Sequence, residues 1–222
     1  MEAIIFDMDG VLIDSEYSYF EAKDGVLAAA GKSVPSSYHG KFMGTSYLYT
    51  WETMKQELDL PKPAEAYVAE MIQRRQEIID RDGIRPIKGA IELVQRLAEE
   101  QQVLAVASSS PLTEIERSLR TIGIYDHFKV ITSGEEVTHS KPAPDVYLLA
   151  AKRLGVDPAA CVALEDSPNG SQAVKNANMM CVGFANPDYP KLTLASDWVV
   201  DSYDFLTATT LTEKFSEYQA KN

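Results

Sequence analysis

Ala3-Ile4-Ile5-Phe6-Asp7-Met8-Asp9-Gly10 is the stretch on which the reading of this chain turns. Its first four residues are apolar without a polar break, the pattern of a short strand buried on both faces. The run ends in two carboxylates one residue apart, which places acid groups at the C-terminal tip of that strand. In open parallel α/β sheets, that tip is where ligands bind. Two carboxylates this close raise each other's pKa or recruit a cation. A divalent metal and phosphate chemistry are therefore the first expectation.

Beyond Asp9 the pattern changes. Phe20, Val26 and Leu27 form one helical stripe, closed by Gly31; Trp51, Met54 and Leu58 form a second, ended near Pro61. Val68, Met71, Ile72, Ile78 and Ile79 form a third. Residues 15–83 are thus expected as a small all-helical domain inserted directly after the first strand. The return segment, Asp82-Gly83-Ile84-Arg85-Pro86-Ile87-Lys88-Gly89, is punctuated by glycine and proline, as a boundary is.

From Gly89 onward helix and strand signals alternate. A helix on Ile91, Val94 and Leu97 precedes a strand at Val103–Ala107, and Ser110-Pro111 reads as an N-cap with proline at the first helical position. A helix carrying Ile115, Leu119 and Ile122, a strand Val130–Thr132 and a helix from Pro144 to Leu154, stopped by Gly155, come next. Strand Val162–Leu164, a helix near Ala173–Ala177, and strands at Cys181–Phe184 and Trp198–Val200 complete the series, with a polar end expected to fray from Lys214. Alternation of this kind predicts an α/β fold: a Rossmann-like parallel sheet flanked by helices, built from residues 1–14 and 84–222.

Bulk composition agrees. The 222 residues are 45% hydrophobic, enough for a full core. The net charge of −12 argues against nucleic acid or an anionic membrane surface as partner, though local cations can still draw an anionic substrate into a cleft. Cys161 and Cys181 read as buried reduced thiols. No apolar stretch approaches the ~20 residues of a membrane span, and the chain starts on a strand with no basic leader. A cytoplasmic monomer is expected.

Three further strand ends bear on chemistry. The second expected strand runs into Ser108-Ser109-Ser110, the third is followed by Ser140-Lys141-Pro142, and the fourth runs into Glu165-Asp166. Singly, these are a loop serine, a surface lysine and an acid pair at a helix N-terminus. As an ordered set along one sheet edge they carry more weight. Phe6-Asp7-Met8-Asp9-Gly10-Val11, Ser108, Lys141-Pro142 and Glu165-Asp166, with a helical insert between the first two, resemble the haloacid dehalogenase-like hydrolases. The resemblance covers nearly the whole chain and is closest to the branch of β-phosphoglucomutase and small sugar-phosphate phosphatases.

That resemblance implies roles. Asp7 would be the nucleophile, forming an aspartyl-phosphate, and Asp9 the acid and base. Mg²⁺ would be held by Asp7, the backbone carbonyl of Asp9 and Asp166, with Glu165 bound directly or through water. Ser108 and the Ser109 amide would bind phosphoryl oxygens, and Lys141 would neutralise the transferring group. Residues 15–83 would be the cap domain that selects a small phosphorylated metabolite. Lys41–Ser46 looks like the family's specificity loop, with Gly44 supplying its turn. Tyr17, Tyr19, Phe42, Tyr47, Tyr49 and Trp51 would either line a pocket or fill the cap's own core.

Tyr19 and Tyr47 stand where the mutase carries histidine and arginine. A tyrosine cannot clamp a second phosphate as arginine does, which favours phosphatase over mutase, although Lys41 could partly compensate. Asp9 with Glu165-Asp166 argues against dehalogenation, and the intact acid set argues against a non-catalytic binding protein on the same scaffold. His39, His127 and His139 lie away from the strand ends and read as loop or surface residues.

Overall fold

The computed structural model describes residues 1–43 and 45–221, so the turn expected at Gly44 lies outside the described residues. The chain begins with β1 (Ala3–Phe6), β2 (Ile13–Asp14), α1 (Glu16–Ala29), α2 (Ser36–His39), α3 (Tyr47–Leu58), α4 (Ala64–Asp82) and β3 (Arg85–Pro86). It continues with α5 (Ala90–Glu99), β4 (Leu104–Ser108), α6 (Leu112–Thr121), β5 (Val130–Ser133) and α7 (Asp145–Leu154). β6 (Cys161–Glu165), α8 (Pro168–Asn176), β7 (Met180–Phe184), β8 (Trp198–Val200) and α9 (Ala208–Gln219) follow. Two compact units result: Met1–Asp14 with Arg85–Asn222, and Ser15–Ile84.

In the first unit a six-stranded sheet has the order β5-β4-β1-β6-β7-β8. Every pairing in it is parallel, with Ile5 opposite both Ala105 and Ala163. All four residues of β1 are buried, as a central strand covered on both faces requires. Period-two alternation divides the faces: Ala3, Ile5, Ala105, Ala107, Cys161, Ala163 and Cys181 pack in one cluster with Val146, Tyr147 and Ala150 of α7. The small strand residues let α7 lie close to the sheet. Both cysteines are buried free thiols. From β1 the chain builds outward through β4 to β5, then crosses to β6 on the other side. This reversal makes β1 a topological switch point, the place where open α/β sheets form a ligand crevice.

In the second unit α1, α3 and α4 enclose Ala22, Val26, Leu27, Phe42, Trp51, Met54, Tyr67, Met71 and Ile78, with Trp51 stacked on Tyr67 at 5.3 Å. Of the aromatic residues at issue, Phe42 and Trp51 belong to this core, Tyr17 and Tyr19 pack partly against it, and Tyr49 is 56% exposed. The hydroxyls of Tyr19 and Tyr47 hydrogen-bond each other. Lys41 lies 4.4 Å over the Tyr38 ring and 3.4 Å from Glu57.

Three local expectations are corrected, and one pair of strands is new. His39 is buried, with Nε2 2.7 Å from Asp24 Oδ1, because Phe20 and Tyr38 pack against its ring. The C-terminal segment does not fray at Lys214; α9 runs to Gln219 because Leu211 and Phe215 bury one face and Thr207 and Thr210 form a capping box. Ser110 does not cap α6, whose N-cap is Pro111 with no side-chain bond. The two-residue strands β2 and β3 pair antiparallel, too short to leave an alternating signal. Among the described residues no helix is long and apolar enough to cross a membrane.

Candidate active site

The tip of β1 is bent back on itself. Asp7 is still in the sheet, its amide donating to Leu164 O at 3.0 Å. The next turn is closed by Leu12 N and Ile13 N on Met8 O, and by Gly10 N on Ile13 O at 2.8 Å. Gly10 has a φ of +77°, and a Cβ there would overlap the Asp166 carboxylate. Glycine thus lets the acid after β6 come up against the turn after β1.

Lys141 is the centre of the site. It reaches in from the segment before α7, and its Nζ donates to Glu165 Oε1 at 2.7 Å, Asp7 Oδ1 at 2.9 Å, Tyr147 OH at 3.2 Å and Ala107 O at 3.3 Å. Glu165 has no exposed surface. Its Oε1 accepts from Lys141 and from Tyr147 OH at 2.9 Å. Its Oε2 accepts from the amides of Asp166 and Ser167 and from Ser167 Oγ, at 3.0–3.1 Å. A carboxylate has about four lone-pair sites, so this one is saturated by the chain's own donors. Ser167 also caps α8 through Gly170 N, and Gly170 has no side chain because a Cβ there would overlap Glu165.

The charges do not balance. Burial pushes the Asp7 carboxyl up to about 7, against the pull of Lys141 and with the push of Glu165 and Asp9. Burial lowers the Lys141 ammonium, but Asp7 and Glu165 outweigh it and hold the pKa above its ordinary value. Carboxylate oxygens of Asp7, Glu165 and Asp166 all lie within 4.8 Å of one another. Two unit charges ~4 Å apart interact by about 4 kcal/mol at an effective dielectric of 20, and one ammonium cannot offset three acids plus Asp9. Hard oxygen donors with excess negative charge fit a divalent cation such as Mg²⁺.

Asp9 is held from one side only. Ser110 Oγ donates to its Oδ2 at 2.8 Å, while its buried Oδ1 has no partner among the described residues. Ser110 is itself fixed, its carbonyl accepting from Ser133 Oγ at 2.7 Å. Ser108 is fully buried at the end of β4; its Oγ accepts from Ser110 N at 3.1 Å and finds no acceptor for its own proton among the described residues. Ser109 is exposed, its backbone against Gly134.

The structure therefore brings Asp7, Lys141, Glu165 and Asp166 together, with Asp9 and Ser108 joined through Ser110. Two members escaped the sequence reading. Ser110 carried a cap signal and spends its hydroxyl on Asp9 instead. Tyr147 carried none, since an aromatic residue on the apolar face of a helix looks like packing.

Known proteins resemble this chain along most of its length. Residues 4–184 match the haloacid dehalogenase-like hydrolase family. Hexitol phosphatase B of Escherichia coli is 36% identical, over 94% of this chain and 96% of its own. A phosphorylated carbohydrates phosphatase of Thermotoga maritima is 32% identical, over 81% and 82%. The crystal structure of β-phosphoglucomutase from Clostridium difficile superposes with a TM-score of 0.77 at 26% identity, covering 99% of both chains. The chain belongs to the haloacid dehalogenase-like hydrolases, in the β-phosphoglucomutase-like branch. Within that branch it is a phosphatase.

Proposed function

We propose that this chain hydrolyses the phosphate ester of a small sugar- or polyol-phosphate metabolite with the help of Mg²⁺, through an aspartyl-phosphate on Asp7. The observation that carries the reading is the Lys141 ammonium 2.9 Å from Asp7 Oδ1, at the edge of an acid cluster short of positive charge. Phosphoryl transfer asks mainly for positioning and charge neutralisation. A carboxylate oxygen of Asp7 attacks phosphorus as the ester P–O bond breaks, and the Asp9 carboxyl gives its proton to the departing oxygen. Asp9 then takes a proton from the water that attacks phosphorus, and the Asp7–phosphate bond breaks to release inorganic phosphate. Ser108 offers its unshared proton to a phosphoryl oxygen, as does the Ser109 amide, and Lys141 offsets the charge on Asp7 and the transferring group.

Asp7, Asp166 and the Asp9 carbonyl would hold Mg²⁺, which supplies charge neutralisation to the phosphate. Glu165, with its lone pairs taken, would hold Lys141 and the Asp166 amide in place. The hexitol phosphatase and carbohydrate phosphatase relatives support the substrate class. Likeness to a mutase supports the second reading. Tyr19 and Tyr47 carry no positive charge for a second phosphate, and Lys41 is engaged by Glu57 in an exposed pair.

The test is phosphate release from p-nitrophenyl phosphate, hexose phosphates and hexitol phosphates, with Mg²⁺ and after chelation. Rates that survive full metal removal would end the metal-dependent reading. Conversion of β-glucose 1-phosphate to its 6-phosphate isomer faster than phosphate release, given a bisphosphate primer, would favour the mutase.

The acid cluster also predicts a pH-dependent metal effect. Asp7 has its pKa raised from 3.8 to about 7 on folding, so the folded state binds more protons between those values. Its contribution is present below about pH 4 and is lost as pH rises to about 7. A cation that replaces the lost proton restores it. Millimolar Mg²⁺ should raise the melting temperature by about 5 °C at pH 7.5 and by under about 2 °C at pH 5. Thermal melts at the two pH values check this, and equal shifts would count against it.

A further inference from the structure

We propose that Tyr147 is a positioning residue of this active site, its hydroxyl keeping the Lys141 ammonium aimed at Asp7 by sharing the demand of Glu165. The inference rests on the phosphatase reading above. Lys141 has three protons to give and four acceptors around it, of which Glu165 Oε1 at 2.7 Å is the nearest and Asp7 Oδ1 at 2.9 Å the next. Glu165 is a fully buried carboxylate, so an unshared Oε1 would compete strongly for the ammonium. Tyr147 OH supplies a second donor to that same oxygen at 2.9 Å and accepts from Lys141 at 3.2 Å.

The directions of these bonds are forced. A carboxylate only accepts and an ammonium only donates, so the phenol donates to Glu165 and accepts from Lys141. Burial, with the Glu165 charge beside it, holds the phenol well above its ordinary pKa, so the donor is present throughout the working range. The ring is fixed in the first turn of α7, with Tyr147 N bonded to Pro144 O at 3.0 Å and Val146, Ala150 and Ala151 buried around it. Its centre lies 4.9 Å from the ammonium. A phenylalanine would fill the same space, so packing alone gives no reason for a hydroxyl in this apolar cluster. What the hydroxyl adds is the pair of contacts that fix Lys141 between a structural acid and the attacking one.

The test is Tyr147→Phe in the full chain. With p-nitrophenyl phosphate and Mg²⁺, kcat should fall about tenfold, while the melting temperature stays within about 3 °C of the unmodified protein. Because Tyr147 acts through Lys141, the same change made on a Lys141→Ala background should lower kcat by less than about twofold. If Lys141→Ala does not fold, a crystal structure of Tyr147→Phe decides, with Lys141 Nζ expected beyond hydrogen-bond reach of Asp7. A kcat within about twofold of the unmodified protein, an equal fall on both backgrounds, or a Lys141 still bonded to Asp7 would overturn the proposal. Absence of phosphate release by the unmodified protein would instead remove the phosphatase reading, and the crystal structure would still judge the aim of Lys141.

Discussion

Asp7→Asn should leave a folded protein that releases phosphate at least about a thousandfold more slowly than the unmodified chain. The two side chains have nearly the same shape, and the amide oxygen can still accept the Lys141 proton that Oδ1 now takes at 2.9 Å. On the mechanism proposed above, what is lost is the anionic oxygen that attacks phosphorus, and neither Glu165 nor Asp9 is placed to replace it. Glu165 is saturated by its own donors, and Asp9 is fixed on one side by Ser110. The fold itself has little to lose. In chelator at pH 7.5, Asp7 is a buried acid whose pKa is pushed up to about 7, so its ionised form is a cost that asparagine removes. The loss of Lys141's charged partner works the other way, and the melting temperature should stay within about 3 °C. Phosphate release and a thermal melt on the same preparation check both halves. A rate near the unmodified one would take Asp7 out of its role.

Much of this site was legible because parallel sheets impose a rule on sequence. An unbroken apolar run as short as Ala3–Phe6 fits a covered strand, and the polar residues that follow such a strand emerge at the edge where its parallel neighbours also end. Asp7, Ser108 and Glu165 close their strands in that way, so the edge could be assembled from spacing without knowing the strand order. What stayed hidden depends on side-chain direction inside the fold. Ser110-Pro111 has the composition of a helix cap, and nothing local says that its hydroxyl turns to Asp9, 101 residues earlier. His39 is polar and ends the four-residue helix α2, yet Phe20 and Tyr38 enclose it. Tyr147 belongs by periodicity to the face of α7 that covers the sheet, and its polar atom matters only because Lys141 and Glu165 arrive from elsewhere. In each case the deciding contact is long-range, and a one-dimensional pattern reports only the local alternative.

Glu165→Ala should cost about 3–5 kcal/mol of stability, the range for breaking a buried ion pair by removing one partner. It would leave the Asp166 and Ser167 amides without their acceptor, Tyr147 OH without the Glu165 carboxylate, and Lys141 without the nearer of the two carboxylates it bonds, Glu165 and Asp7. For a chain of this size the melting temperature should fall by about 10 °C or more. The effect also separates two roles for Glu165. A residue that works by holding Lys141 and the start of α8 stabilises the fold with or without Mg²⁺, so the fall should be as large in chelator as in the metal-loaded protein. A ligand to the ion would show its loss only when Mg²⁺ is present, because the cation links its affinity to stability only while bound. Melts of Glu165→Ala and the unmodified chain, each with Mg²⁺ and with chelator, make the comparison. A fall confined to the metal-loaded pair would move Glu165 from the scaffold of the site into its coordination shell, and with it the reason that Lys141 points at Asp7.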